Sequence, residues 1–453
     1  MQDYWTTLVA TLPGPRRAAL ETALRSAIRD GRLAAGTRLP SSRALAADLG
    51  LARGTVVEAY AQLRAEGYLN ARSGGGTWVA AVGAAPQAKA THAAADRAPR
   101  FDFHPGEPDL SSFPAAAWAG ALKRGLRHTR MGSLGYGDPR GRVELREELA
   151  DYLGRARGAI ADPELIVVCC GFRHGLSLVT RALRARKARR VAVEDPCAPP
   201  HLETIAASGL EVVALPVDSD GARTDLLQST RADVAVLGPA HQYPLGVVLH
   251  PARRAAAIEW ARANGTFIVE DDYDAELRYD RQPVGALQAL APERVAYGGT
   301  ASKTLVPGLR LGWLLLPQAL LDDVVALRRV EDVHAPATDQ IAFAELLRSG
   351  QLERHIRRMR GRYRRRRDSL IEMVARSAPA VTVSGLAAGL NAVLELPDHG
   401  PSARALVERA AERSLRLYPI AGREAIVAGY GALPEHAFEA GMRALGTLLA
   451  DCY

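Results

Sequence analysis

Residues 267–274 read FIVEDDYD, and this stretch indicates the fold of the larger part of the chain. Its first three residues are apolar and suit a short buried strand, after which carboxylates and a phenol follow in close succession. An open α/β sheet presents its site at the carboxyl ends of its strands. The stretch therefore predicts a strand that carries Asp271 and Tyr273 to a functional site.

A lysine segment lies farther along the chain, after room for one crossover connection. Residues 299–305 read GTASKTL, with Lys303 among small hydroxyl side chains, and Arg310 follows soon after. A lysine in such company, with an arginine close by, suits an aldehyde cofactor that carries a phosphate group.

The surrounding sequence alternates apolar, strand-like runs with helical patterns, which is typical of a mainly parallel sheet covered by helices. We therefore predict an α/β domain over residues 101–453, with a smaller α+β subdomain from about residue 350. The candidate strands are residues 165–170, 190–194, 234–237, 267–271, 295–299 and 311–316.

The composition of the chain limits its possible functions. With 453 residues, 48% of them hydrophobic, the chain is too long for one ordinary domain. A formal net charge of +8 permits a nucleic-acid partner. The four cysteines show no zinc spacing and no disulfide framework, so we expect no metal site. There is no apolar stretch of membrane-spanning length and no signal peptide pattern, so we expect a cytoplasmic protein.

The first 79 residues form a unit of their own, and an alanine-rich segment, 80–100, follows it as a predicted linker. Apolar residues recur at fourfold spacing in a first helix, after which a serine-capped helix, a glycine turn and a further helix make a helix-turn-helix. Residues 67–79 then predict two short strands around a glycine-rich tip, which fits a wing.

This unit resembles the GntR-type winged helix-turn-helix through the runs GRL (31–33), GTRLPSSR (36–43), RGTV (53–56) and EGY (66–68). The resemblance implies a double-stranded DNA operator as partner, with Arg53 and Thr55 in the major groove and Arg43 on a phosphate. The DNA-binding residues that it implies are Arg43, Arg53, Gly54, Thr55 and, at the wing tip, Gly75. The alternative is a helical hairpin with solvated arginines that binds protein.

The larger domain resembles the fold-type I pyridoxal-phosphate enzymes, and the full layout resembles their regulator relatives, the MocR subfamily of GntR proteins. The resemblance spans almost the entire chain and implies pyridoxal 5'-phosphate as cofactor. It also implies that Lys303 forms a Schiff base with the cofactor, that Asp271 pairs with the pyridine nitrogen and that Tyr273 donates to the ring 3-oxygen. A decayed site that no longer anchors the phosphate is the alternative.

The resemblance assigns further groups around the cofactor. Tyr136 matches a tyrosine that reaches the phosphate from the other subunit, which implies a homodimer with a head-to-tail arrangement. His241 or Gln242 borders the ring, unless this segment only builds a loop. The phosphate-holding residues that the resemblance implies are Thr300, Ser302, Arg310, Gly171, Phe172 and Arg173.

Two departures from the aminotransferase pattern bear on activity. Residues 425–431, AIVAGYG, lack the arginine that grips the substrate carboxylate in amino-acid-using relatives, although Arg423 lies close. Residues 194–199, EDPCAP, lack the aromatic residue that usually stacks on the cofactor ring, although Phe172 or Tyr243 can substitute. These departures predict little or no transaminase turnover.

Residues 354–367 hold nine arginines above apolar residues at helical spacing. Two interpretations of this basic helix stay open: a solvated face between two subdomains, or extra phosphate contacts to DNA.

The leading hypothesis is a ligand-responsive, DNA-binding transcription regulator whose cofactor site senses a small metabolite. The effector is either an amino compound or pyridoxal phosphate itself, as in regulators of vitamin B6 synthesis, and the missing carboxylate clamp favours the second. One alternative is an active aminotransferase with an accessory DNA-binding domain. Another is a scaffolding dimer, which would not need Lys303 and Asp271.

Overall fold

The computed structural model of this chain describes residues 16–72, 75–81, 99–279 and 284–453. The chain divides into two compact units, Met1–Asp96 and Arg97–Tyr453. Most of the predicted linker, 80–100, lies outside the described residues.

In its described residues, the N-terminal unit combines three helices with a small antiparallel sheet. Its helices are α1 (Arg16–Arg29), α2 (Ser42–Leu49) and α3 (Arg53–Ala65), and its strands are β1 (Arg38–Leu39), β2 (Leu69–Arg72) and β3 (Gly76–Val79). The strands pair in the order β1-β3-β2, so the predicted wing is confirmed and gains a third strand from the segment before α2.

Local chemistry sets the helix-turn-helix. The Ser41 side chain accepts a hydrogen bond from the backbone N–H of Ala44 and caps α2. Gly50 ends the helix with a φ of 63°, a left-handed conformation that glycine adopts without strain. Leu20, Leu24 and Ile28, which are the apolar residues at fourfold spacing in the predicted first helix, are all buried in the core of this unit.

Within the described residues, the larger unit contains three sheets, of eight, four and two strands, and eleven α-helices. Its helices are α4 (Ala115–His128), α5 (Val143–Arg157), α6 (Phe172–Ala185), α7 (Pro199–Ala207), α8 (Leu227–Thr230), α9 (Pro251–Ala263), α10 (Gln318–Glu331), α11 (Ala337–Arg348), α12 (Gln351–Ser377), α13 (Ala403–Glu412) and α14 (Glu435–Ala450). Its strands are β4 (Phe101–Asp102), β5 (Ile166–Cys169), β6 (Arg190–Asp195), β7 (Glu211–Asp218), β8 (Gly221–Ala222), β9 (Val234–Leu237), β10 (Phe267–Asp272), β11 (Val295–Thr300), β12 (Gly312–Leu315), β13 (Thr382–Ser384), β14 (Asn391–Glu395), β15 (Leu415–Arg416), β16 (Tyr418–Pro419) and β17 (Ala425–Gly429). A further short pairing joins β4 to β15 in parallel.

An eight-stranded sheet forms the centre of this unit, in the order β5-β12-β11-β10-β9-β6-β7-β8. The five strands from β11 to β7 run parallel, whereas β12 is antiparallel to both of its neighbours. Strands β5, β9 and β10 are buried along their whole length, as expected for a sheet covered by helices on both faces. All six predicted strands lie in this sheet, which confirms the predicted α/β fold.

The C-terminal part of the unit carries a four-stranded antiparallel sheet in the order β13-β14-β17-β16. Its core also takes in Phe101 and Phe103, which lie at the start of the unit, far away in sequence. The sequence pattern did not predict this contribution, because a two-residue strand has no periodicity to detect. Within the described residues, no helix is both long and apolar enough to cross a bilayer.

Gly429 offers a test of this packing, because its N–H donates to the Phe103 carbonyl at 3.0 Å. A Cβ at this position would lie 2.0 Å from the backbone oxygen of His104. We expect Gly429→Ala to lower the free energy of unfolding of the larger unit by about 1–3 kcal/mol in urea titrations. Gly308→Ala is the matched control, since no atom lies within 4 Å of its added Cβ. Equal stability of the two variants would contradict this packing.

Candidate functional site

A pocket at the carboxyl ends of β10 and β11 brings most of the predicted cofactor residues together. Those that line it are Lys303, Asp271, Tyr273, Arg310, Ser302, Thr300, Phe172 and Arg173. Further lining residues are His104, Gly106, His201, Tyr243 and Tyr418. The parallel pairing of β10 with β11, which sets Asp271 opposite Gly298, accounts for this meeting of distant segments.

Lys303 lies in the loop after β11, and its surroundings favour a neutral amine. Burial lowers the pKa of Lys303, while the carboxylates of Asp274 and Asp271 oppose that shift. Gly106 lies against the amine, since a Cβ there would be 3.4 Å from Nζ. A buried lysine with a lowered pKa is a nucleophile suited to an aldehyde.

Asp271 is a buried carboxylate with an unfilled hydrogen-bonding capacity. Its Oδ1 has no hydrogen-bond partner among the described residues, and Oδ2 lies 3.7 Å from Nδ1 of His201. Burial raises the pKa of Asp271 well above its usual range, and the neighbouring Asp272 and Asp274 add to the shift. A ring nitrogen that carries a proton would satisfy this oxygen and offset its burial.

Hydroxyl, guanidinium and helix-start groups converge on one side of the pocket. The Thr300 hydroxyl donates to Ser302 Oγ at 2.9 Å, and Arg310 donates to the Cys170 carbonyl at 2.6 Å. Gly171 precedes α6 with a φ of 82°, and a Cβ there would lie 3.1 Å from the Arg310 guanidinium. Because free backbone N–H groups at a helix start attract anions, this side fits a phosphate group.

Arg173 belongs to the same side but is held more loosely. Its side chain is half exposed, lies 3.7 Å from Glu203 and donates to Thr204 at 3.4 Å. These contacts leave it free to turn toward an anion in the pocket.

Two predicted ring contacts are placed elsewhere by the structure. Gln242 donates to the Pro196 and Tyr243 carbonyls at 2.6 Å and accepts from the Leu245 N–H. Its amide therefore stabilises the loop. His241 is buried behind the pocket against Asp274. The residue of this segment that lines the pocket is Tyr243.

Tyr136 does not line the pocket of its own chain. It is 92% exposed, in a loop before α5. Its predicted contact with another subunit stays a prediction.

His201 was missed from the sequence. It lies in the first turn of α7, with its ring 5.2 Å from that of Phe172. Burial lowers its pKa to about 4, and the positive charges of Arg173 and Lys303 contribute. His201 lies two positions beyond residues 194–199, the segment in which the family pattern places a stacking aromatic residue, so the pattern does not point to it.

The structure also shows the segment that lacks the carboxylate-binding arginine of aminotransferases. All of β17 is buried in the small sheet, where Val427 pairs with Val393. Arg423 is exposed in the preceding turn and does not line the pocket. The only guanidinium groups among the described lining residues are those of Arg173 and Arg310.

Cys170, His174 and Asp332 bring metal-ligand atoms within 4.8 Å of one another. Arg328 donates to Asp332 at 2.8 Å and contacts His174 Nδ1 at 3.1 Å, so a positive charge already occupies this cluster. We assign no metal to it.

The nine arginines of the basic helix α12 differ in their environment, because some contact other parts of the protein and others are exposed. Arg366 is buried and donates to Asp109, Glu435 and three backbone carbonyls. Arg360, Arg362 and Arg367 also hold neighbouring segments. Only the exposed arginines can still form a solvated face or contact DNA phosphates. They are Arg354, Arg357, Arg358, Arg364 and Arg365.

The candidate DNA-binding residues lie at the surface of the N-terminal unit. Arg43 and Arg53 are exposed at the starts of α2 and α3, and neither has an ion-pair partner among the described residues. Gly54 is exposed and Thr55 is half-buried in the same first turn of α3. In the wing, the Gly75 carbonyl accepts from Arg38 at 3.0 Å, while residues 73 and 74 lie outside the described residues.

Comparison with known proteins assigns both units. Residues 16–79 match the family of bacterial regulatory proteins, gntR family, and residues 101–425 match aminotransferase class I and II. An archaeal alanine:glyoxylate aminotransferase aligns with a TM-score of 0.71 and 26% identity, covering 78% of this chain and 91% of that chain.

Relatives of similar length are named as regulators. The chain is 34% identical to the HTH-type pyridoxine biosynthesis transcriptional regulator PdxR of Corynebacterium glutamicum, covering 82% of this chain and 81% of that protein. It is 33% identical to the probable rhizopine catabolism regulatory protein MocR of Rhizobium meliloti, covering 84% and 81%. The chain therefore belongs to the MocR subfamily of GntR-type transcription regulators, in which a helix-turn-helix unit precedes a domain of the class I and II aminotransferase family.

Proposed function

We propose that this regulator binds pyridoxal 5'-phosphate in the Lys303 pocket and uses that site to sense a small metabolite. The observation that carries the proposal is the buried Asp271, whose Oδ1 has no partner among the described residues, in one pocket with the buried Lys303. A carboxylate held in this way needs a cationic or hydrogen-bonding ligand. A protonated pyridine nitrogen supplies one.

The described residues around the pocket match the ring, the aldehyde and the phosphate of this cofactor in chemical type. When the cofactor binds, Asp271 would face the ring nitrogen, Lys303 would reach the aldehyde, and Tyr273 would donate to the ring oxygen. His201 and Phe172 would border the ring in place of the missing stacking residue. When bound, pyridoxal phosphate supplies an aldehyde that captures amines and a ring that withdraws electrons. The proposed phosphate-holding residues are Thr300, Ser302, Arg310, Gly171 and Arg173.

The proposed effector is pyridoxal phosphate itself. An amino-acid effector needs a group to fix its carboxylate, and Arg310 is already assigned to phosphate while Arg423 lies outside the pocket. The name of the relative PdxR refers to pyridoxine biosynthesis, which supports a vitamin B6 ligand here. An amino compound is the second candidate, because the half-exposed Arg173 could meet a carboxylate.

For the same reason we propose negligible transamination. Catalysis requires that the substrate α-proton be held toward the lysine amine, and that orientation depends on a fixed carboxylate. The buried Val427 and its neighbours in β17 cannot supply it.

The proposed output is binding to a double-stranded DNA operator through α3 and the wing. Arg53, Gly54 and Thr55 face the major groove at the exposed start of α3, Arg43 holds a phosphate, and Gly75 lies at the wing tip. We further propose a head-to-tail homodimer in which the exposed Tyr136 reaches the phosphate of the other subunit. Dimeric proteins bind paired half-sites.

Lys303 gives the direct test of the cofactor. Borohydride reduction of the protein with pyridoxal phosphate should leave the cofactor covalently attached, and Lys303→Ala should abolish the adduct in mass spectrometry. Lys123→Ala, at an exposed lysine, is the control and should trap as well as the parent. A full-strength adduct on Lys303→Ala would refute the assignment.

Arg53 tests the DNA site. Because a major-groove arginine is worth about 1–3 kcal/mol, Arg53→Ala should lose that much operator affinity in band-shift titrations without change in cofactor affinity. Arg64→Ala, in the last turn of the same helix, is the matched control and should change affinity little. If the two variants bind operator equally, a different helix reads the DNA.

A further inference from the structure

A buried pair of side chains lies directly behind Tyr273 and is not used in the proposed cofactor contacts. His241 is 2% exposed and Asp274 is 1% exposed. Nδ1 of His241 lies 3.0 Å from each carboxylate oxygen of Asp274 and 3.1 Å from the Tyr273 hydroxyl oxygen. One ring nitrogen therefore meets three oxygen atoms.

The geometry decides which ring nitrogen carries the hydrogen. If Nδ1 were bare, its lone pair would face both oxygens of a carboxylate, and the hydrogen would sit on Nε2. Nε2 is buried without a partner among the described residues. An unpaired buried N–H costs about 1–3 kcal/mol, so the neutral ring takes the other form, in which Nδ1–H donates to Asp274.

This tautomer leaves the Tyr273 hydroxyl with a hydrogen to give. Nδ1 cannot accept it, because that nitrogen already carries a hydrogen. Burial raises the pKa of Tyr273 well above its usual range, and the charges of Asp274 and Asp271 add to the shift, so the phenol stays protonated. Tyr273 is one of the residues that line the pocket. Its hydroxyl hydrogen, which Nδ1 does not accept, is therefore available to an acceptor in the pocket.

There is little freedom to rearrange this group. A Cβ on Gly389 would lie 2.4 Å from Cε1 of His241 and 2.6 Å from Oδ2 of Asp274. The backbone of residue 389 is therefore packed closely against both side chains. The close contact leaves no room for a water molecule on that side.

We propose that Asp274 and His241 are a positioning pair that fixes the Tyr273 hydroxyl as a hydrogen-bond donor into the pocket. The inference rests on the proposed function in one respect, since the acceptor in the pocket is the ring oxygen of pyridoxal phosphate. Neither residue of the pair touches the cofactor, and both act through Tyr273.

The first test needs no cofactor. Histidine labelled with ¹⁵N should show the Nδ1–H tautomer for His241 in the apo protein, with the signal assigned by its loss in His241→Asn. Asp274→Asn should release this preference, because the substituted amide can donate to Nδ1. A parent protein with Nε2–H at His241, or with a doubly protonated ring, would overturn the proposal whether or not pyridoxal phosphate binds.

The second test is a double-mutant cycle. For each variant we would measure the dissociation constant of pyridoxal phosphate and the pH midpoint of the absorbance of the bound cofactor. His241→Leu removes the Nδ1 donor and should weaken binding about tenfold, which corresponds to about 1.4 kcal/mol. His241→Asn, whose amide nitrogen can stand where Nδ1 stood, should stay within about threefold of the parent. In a Tyr273→Phe background, His241→Leu should add less than about twofold, because the hydroxyl that it positions is gone.

The outcomes separate three cases. A tenfold loss in the parent that vanishes in the Tyr273→Phe background, with a matching change in the pH midpoint, supports positioning through Tyr273. A loss of the same size in both backgrounds, or none in either, overturns it. Should the parent fail to bind pyridoxal phosphate while showing the Nδ1–H tautomer, the proposed cofactor fails and the donor role falls with it, although the hydrogen-bonded pair itself stands.

Discussion

The burial of Asp271 is the constraint on which the rest of the site depends. A carboxylate taken out of water is stable only when hydrogen bonds or a positive charge replace its hydration, and this one has an oxygen with no partner among the described residues. The fold keeps it there because β10 lies between two parallel neighbours, β11 and β9, inside the eight-stranded sheet and is buried along its whole length. A cationic ligand resolves the conflict, and the lysine, hydroxyl and guanidinium groups around the pocket are arranged for one that also carries an aldehyde and a phosphate.

The other two acids of the same strand contact protein groups rather than the pocket. Asp272 accepts from Arg157 at 2.6 Å and from the Tyr297 hydroxyl at 2.8 Å, while Glu270 accepts from the backbone N–H groups of residues 287 and 288. Successive side chains of a strand point to opposite faces, so these partners stand on the far side of the sheet from Asp271. Asp272 Oδ1 also has no partner among the described residues, so the feature that distinguishes Asp271 is that it alone of the three acids lines the pocket.

Sequence patterns predicted the parts of the molecule that depend on local spacing. The helix-turn-helix, the six central strands and the grouping of Lys303 with Asp271 follow from apolar periodicity and from side chains placed at strand ends. Other features depend on contacts between distant segments, which one sequence does not display. Phe101 and Phe103 join the small sheet across more than three hundred residues, and His201 enters the pocket only because α7 turns its first residues inward. The family resemblance placed His241 or Gln242 at the ring, with loop structure as the alternative, and the Gln242 amide donates to loop carbonyls.

The pocket requires a ligand, and the helix-turn-helix exposes Arg43 and Arg53, which have no ion-pair partner among the described residues. We propose that occupancy of the pocket changes DNA binding, and thermodynamic linkage makes this effect reciprocal. The most direct measurement is a pyridoxal-phosphate titration of the whole protein, with and without a double-stranded fragment selected by it from a random-sequence library. We expect the fragment to change the dissociation constant of the cofactor by the same factor by which the cofactor changes the affinity for the fragment. Identical dissociation constants with and without DNA, for a fragment that the protein binds tightly, would contradict it.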